Sequence, residues 1–150
     1  MIRTMTINDY PSVFDLWTQT DGMGLRSLDD SREGIGQFLR RNPETCFVAE
    51  EEGRLQGAIL CGHDGRRGYI YHTVVREDCR RRGIGTSLIE AAVKALRAEG
   101  ITRVCLNVME RNEQGRQFWT NRGWEKKDFL GFYSKSITDQ ENLPLLKPEA

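Results

Sequence analysis

The run Arg80-Arg81-Arg82-Gly83-Ile84-Gly85 stands between a strand-like stretch ending in Val74-Val75 and a long segment with an apolar stripe, Leu88, Ile89, Ala92, Val93 and Leu96. Residue types in that order suit the holding of an anion. Glycines remove side chains that would block a ligand, and backbone N–H groups from Arg81 to Thr86 can converge on it at the positive end of the following helix. A pyrophosphate fits such a turn. Two common phosphate loops are excluded: G-x-x-x-x-G-K-[ST] is absent, and this G-x-G lacks the third glycine and the opening β-α-β unit of a dinucleotide-binding fold. The plain alternative is an ordinary helix start beside a solvated basic cluster.

Several elements must hold that turn in place. Ile2, Met5 and Ile7 open an extended segment, and Asn8-Asp9-Tyr10-Pro11 starts a helix reaching about Thr20, with Val13, Phe14, Leu16 and Trp17 at helical spacing. Asp21 to Ser27 carries two glycines and is expected to be a mobile joint. A second helix follows from about Asp29 to Arg41, with Asp30 or Ser31 near its start and Pro43 beyond its end. Residues 46–50, 55–61 and 69–75 read as an antiparallel meander, the first pair joined by the hairpin turn Glu51-Glu52-Gly53-Arg54. The helix after Gly85 ends at Gly100, residues 101–108 read as a buried strand, and a helix runs from Asn112 to about Arg122. Trp124 and the stretch Phe129 to Ile137 suggest two last strands. The expected organisation is one domain over residues 1–138 and a loosely ordered tail over 139–150.

Composition narrows the partners. Lys plus Arg and Asp plus Glu number 22 each, so no global field favours nucleic acid or an anionic membrane. Arg66-Arg67 and the Arg80 cluster lack an interleaved aromatic row, and no nucleic-acid contact is expected. Cys46, Cys61, Cys79 and Cys105 form no C-x-x-C pair and read as reduced thiols of a cytoplasmic protein, and no metal site is expected. The first residues lack a signal-peptide apolar run, and no stretch approaches the roughly 18 apolar residues of a spanning helix, so no membrane role is expected.

The chain resembles the GNAT acetyltransferases, which carry [QR]-x-x-G-x-[GA] at this junction; Arg80-x-x-Gly83-x-Gly85 matches it. Val74-Val75 resemble residues whose backbone pairs with the pantetheine arm of coenzyme A, Asn112 resembles the asparagine opening the next helix, and Gly123-Trp124 stands where relatives have Gly-Phe. Element order agrees over residues 1 to 137. The segment Gly62 to Gly68 is similar to that of a bacterial subgroup of poorly defined substrate. The resemblance implies an α/β (α+β) fold, a mixed and mostly antiparallel sheet flanked by about four helices. It also implies acetyl-coenzyme A as co-substrate, bound by Val74, Val75, Arg80, Arg81, Arg82, Gly83, Ile84, Gly85, Thr86 and Asn112.

Two positions depart from that pattern. Relatives place a tyrosine seven residues after the asparagine, to protonate the departing thiolate, and here that position is Trp119, whose indole is a donor that does not ionise usefully. Relatives that acetylate ribosomal N-termini have a glutamate base where this chain has Asn107. Strand alternation places Tyr69, Tyr71 and Thr73 on one face and Ile70, His72 and Val74 on the other. Relatives turn the first face toward the amine, which makes Tyr71 the first catalytic candidate, as the organiser of a water relay, with Tyr69 next and Glu50 as a carboxylate alternative. His72 has a side chain suited to a base but an alternation that points it at the core.

The reading is acetyl transfer to a primary amine of a small molecule or peptide in a direct ternary complex, by a cytoplasmic enzyme; a homodimer is compatible with the sequence. The rival is a weakened GNAT domain that binds acyl-coenzyme A as a sensor or partner module.

Overall fold

The structure, a computed structural model, describes residues 1–145. It divides into two compact units, one of residues 1–106 together with the segment from Glu141, the other of residues 107–140. In the first unit the elements run β1 (Ile2–Thr4), α1 (Tyr10–Thr18), α2 (Arg32–Arg41), β2 (Phe47–Glu51), β3 (Arg54–His63), β4 (Gly68–Val75), α3 (Ile84–Ala98) and β5 (Val104–Leu106). The second holds α4 (Glu113–Thr120).

The five strands form one sheet in the order β1-β2-β3-β4-β5, antiparallel except for the parallel pair β4 and β5. The hairpin between β2 and β3 turns on Glu52 and Gly53, both with positive φ (52° and 76°), the conformation that matches the twist of the strands it joins. α2 starts where Ser31 caps the amide of Gly34 at 3.0 Å. Against one sheet face, Val13, Leu16 and Trp17 of α1 and Ile35 and Leu39 of α2 bury with Val48, Ala58, Leu60 and Val74; each large side chain removed from water contributes about 1.5–3 kcal/mol. α3 turns Leu88, Ile89, Ala92 and Leu96 inward.

At the sheet edge Arg3 forks onto Asp9 (2.9 and 2.8 Å) and reaches Glu50 (2.6 Å). Burial raises the Asp9 carboxyl, but the Arg3 bonds and the Thr6 amide outweigh it and hold the group below its usual 3.8. A depressed folded value means stabilisation present above the unfolded value near 3.8 and lost as pH falls through the folded one. Arg3→Met should therefore cost about 1–3 kcal/mol near neutral pH, with the difference from wild type shrinking below about pH 4; urea unfolding between pH 3 and 7 measures it, and a constant difference would contradict the assignment.

Two expectations need correction. Among the described residues no strand follows β5: the stretch 129–137 makes no ladder, and Phe129, Phe132, Tyr133 and Ile137 are exposed. Its apolar pattern reads as strand, but strand propensity takes effect only against a partner edge. The strand expected over 101–108 is paired only at Val104–Leu106.

The joint and the tail are hydrogen-bonded to each other. Leu25 is buried, and Asn142 to Leu145 are hydrogen-bonded to the backbone of residues 25–28. The last five residues of the expected tail lie outside the described residues.

Candidate functional site

The turn before α3 is built on two left-handed residues, Arg81 (φ 67°) and Gly83 (φ 78°), the latter being the N-cap. A 3-10 turn at Glu77–Cys79 leads into it. A side chain finds the left-handed region costly, so glycine at 83 is what lets the chain enter the helix from this direction. A Cβ at Gly83 would meet no protein atom within 4 Å, and the first helical N–H groups of α3 have no intrahelical acceptor. Arg80, Arg81 and Arg82 are exposed around it, with the Arg80 Nε donating to the Val75 carbonyl at 3.2 Å. The turn can therefore hold an anion with backbone dipoles and neighbouring positive charge together.

β4 leads straight to this turn. On one side it is paired with β3 as far as Val75; on the other, β5 pairs only with Gly68, Tyr69 and Ile70. From Tyr71 to Val75 the β4 edge on the β5 side has no strand partner among the described residues, leaving main-chain groups available to an extended ligand. Arg76 was not singled out in the sequence; its Nε and Nη2 grip the Leu55 carbonyl at 3.1 and 2.9 Å and tie the end of β4 to β3. Gly57 makes the close approach possible, since a Cβ there would sit 2.7 Å from the Val74 carbonyl.

The alternation expected along β4 is interrupted. Ile59 of β3 lies opposite Thr73 and Cys61 opposite Ile70, so Tyr71 and His72 together face the single residue Leu60. This bulge reverses the faces beyond it. Tyr69 and Tyr71 lie side by side, ring centroids 4.8 Å apart, and Tyr71 meets Phe38 of α2 edge-on at 5.5 Å. His72 joins that same face, stacked edge-on against Trp17 at 4.9 Å, while Thr73 shares the α3 face with Gly57.

His72 has an acidic partner. Its Nε2 is 2.8 Å from Oδ1 of Asp30, and the two side chains are 13% and 6% exposed, so this pair is largely withdrawn from water. Asp30 Oδ2 accepts from the Arg26 amide at 2.7 Å, and its carbonyl accepts from the Tyr10 hydroxyl at 2.7 Å. A carboxylate on one imidazole nitrogen selects the tautomer and leaves the other nitrogen as the basic site. Tyr71 is 55% exposed; burial, then the Asp29 charge, push its phenol above the usual value of 10, so at neutral pH it keeps its proton and acts as a donor.

Glu50 is placed elsewhere. It lies on β2, with β3 between it and β4, and its carboxylate is bound to Arg3. In the second unit, Asn112 caps α4 through Oδ1 on the Gly115 amide at 2.9 Å. Trp119 packs between Phe118 and Trp124, with centroids at 5.2 and 5.0 Å. Among the described residues no helix is long and apolar enough to cross a membrane.

The model of the acetyltransferase (GNAT) family matches residues 10–124. A protein named acetyltransferase from Pectobacterium atrosepticum is 32% identical over 140 residues, covering 93% of this chain and 98% of its own. The crystal structure of Ard1 from Thermoplasma volcanium superposes with a TM-score of 0.69 at 26% identity, covering 82% of this chain and 80% of that one. The PaiA N-acetyltransferase of Thermoplasma acidophilum, solved with coenzyme A, superposes with a TM-score of 0.73 at 19% identity, covering 95% and 94%. A family match over most of the chain, joined to a relative this similar along nearly its whole length, means that the chain belongs to the GNAT family and is an N-acetyltransferase.

Proposed function

We propose that this enzyme transfers acetyl from acetyl-coenzyme A to a primary amine of a small molecule or peptide, by direct attack in a ternary complex in the cytoplasm. The observation that carries the reading is the unpaired β4 edge from Tyr71 to Val75, which runs into the left-handed Arg81–Gly83 turn. A long co-substrate with an extended arm and a pyrophosphate matches that succession. Val74 and Val75 bind the arm through their backbone, and the turn with Arg80, Arg81, Arg82, Ile84, Gly85 and Thr86 binds the phosphates. The co-substrate supplies the thioester carbonyl; the chain does the rest. Asn112, whose Oδ1 caps α4, is assigned to coenzyme A binding by family resemblance alone.

The acceptor enters over Tyr69 and Tyr71. An ammonium must lose its proton before it can attack, and His72, fixed by Asp30, takes that proton directly or through one water ordered by the Tyr71 hydroxyl. A main-chain N–H near Val74 or Val75 stabilises the oxyanion, which collapses with cleavage of the C–S bond, and the coenzyme A thiolate leaves and takes its proton from water. Glu50 has no part in this scheme, and Trp119 is a packing residue.

Thiol release from acetyl-coenzyme A, followed across a panel of primary amines and short peptides, tests the reading. Turnover with at least one amine is expected. Calorimetric binding of coenzyme A without thiol release for any amine would favour the acyl-coenzyme A-binding module instead.

A further inference from the structure

We propose that Asn142 is a positioning residue of the acceptor side, holding the segment that sets the Asp30 carboxylate against His72. The proposal rests on the reading of His72 given above. The segment Leu25–Asp30 has no helix or extended strand of its own, and it follows Gly22 and Gly24, both with positive φ. Left alone, such a stretch would hold its carboxylates loosely. It is not alone, because residues 142–145 lie along it. The Ser27 amide donates to the Leu143 carbonyl at 2.8 Å and the Leu145 amide to the Leu25 carbonyl at 3.0 Å. The Leu143 amide donates to Ser27 Oγ at 2.9 Å, and Arg26 Nη1 to the Asn142 carbonyl at 3.1 Å.

The Asn142 side chain does something these backbone bonds do not. Its Oδ1 accepts from the Leu28 amide at 2.9 Å while its Nδ2 donates to Asp29 Oδ2 at 3.0 Å. A carboxamide can accept from an amide and donate to a carboxylate through one planar group. An aspartate there would oppose a second carboxylate to Asp29, and an aliphatic residue would do neither. The residues so gripped are the two immediately before Asp30, whose carboxylate turns back to the Arg26 amide and out to His72. The route from Asn142 to the imidazole is thus short: Asn142 bonds Leu28 and Asp29, Asp30 follows directly in the chain, and Asp30 bonds His72. Burial of the last pair makes its geometry consequential, since a small displacement at Asp29 shifts a carboxylate that has little water to replace its partner.

The experiment needs no acceptor, so it is independent of whether any amine turns over. Long-range proton–nitrogen NMR spectra of the full chain, taken with the imidazoles neutral, report which ring nitrogen carries the proton. The chain has only two histidines, and His63, which faces Glu99, is the internal control. In the wild type His72 should carry its proton on Nε2, and Asp30→Asn should abolish that signature. Asn142→Ala should move the His72 signals toward those of Asp30→Asn, leave His63 in place, and speed amide exchange at Leu28 about tenfold, the scale of one hydrogen bond. Should the alanine variant prove unstable, Asn142→Asp keeps the side-chain size and the Leu28 acceptor but repels Asp29, and the same displacement is expected. A His72 spectrum identical to wild type in these variants, with or without faster exchange at Leu28, would overturn the proposal. Equal movement of His63 and His72 would also overturn it, by showing a general loosening of the fold.

Discussion

Gly83→Val is expected to weaken coenzyme A binding by about 10²- to 10³-fold while the protein remains folded. Two effects are separable. At φ 78° a branched side chain strains the folded chain whether or not ligand is bound, a cost of about 1–2 kcal/mol to stability, whereas a ligand anion displaced from the turn loses charge-assisted hydrogen bonds worth about 1.5–3 kcal/mol each. Loss of one or two such bonds costs about 3–4 kcal/mol of binding, and each 1.4 kcal/mol is tenfold in affinity. The fold should tolerate the change because the added atoms meet no protein atom within 4 Å at Cβ. Gly83→Ala separates the contributions: it carries the backbone strain with little of the steric blockade, and so should show the smaller loss. Calorimetric titration with coenzyme A, alongside circular dichroism to confirm folding, is the measurement. A folded Gly83→Val protein with wild-type affinity would place the phosphates somewhere else.

The second large effect is expected on turnover. His72→Gln should lower kcat by about 10²- to 10⁴-fold, the usual consequence of losing a general base, with coenzyme A affinity unchanged. Glutamine preserves a polar side chain facing Asp30 but cannot take a proton at neutral pH. Tyr71→Phe should cost less, because the phenol only donates to a water or substrate, and Trp119→Phe should retain most activity because the indole belongs to an aromatic cluster with Phe118 and Trp124. Near-wild-type turnover of His72→Gln beside a strong loss in Tyr71→Phe would return the principal role to the tyrosine.

These assignments show what the order of residues decided unaided. The hairpin at Glu52-Gly53, the Ser31 cap, the inward stripe of α3 and the glycine turn at Gly83 are all local: each depends on the conformational range of one or two residues or on a helical period. Their positions were legible without knowing what lay across the sheet.

Tertiary structure decided the rest, and the reason in each case is a partner distant along the chain. One bulge opposite Leu60 moved His72 onto the face of Tyr69 and Tyr71 and removed Thr73 from it; alternation is exact only while register holds, and a single extra residue inverts every face beyond it. The carboxylate that orients His72 comes from Asp30, 42 positions away, and Asn142 reaches Leu28 across 114; no spacing rule links such pairs. Glu50 was drawn to Arg3, 47 positions away, by proximity that only the sheet edge creates. The stretch 129–137 carried Phe129, Phe132, Tyr133 and Ile137, residues that favour strands, yet a strand is a relation between two segments, and its residues by themselves specify only one side of that relation.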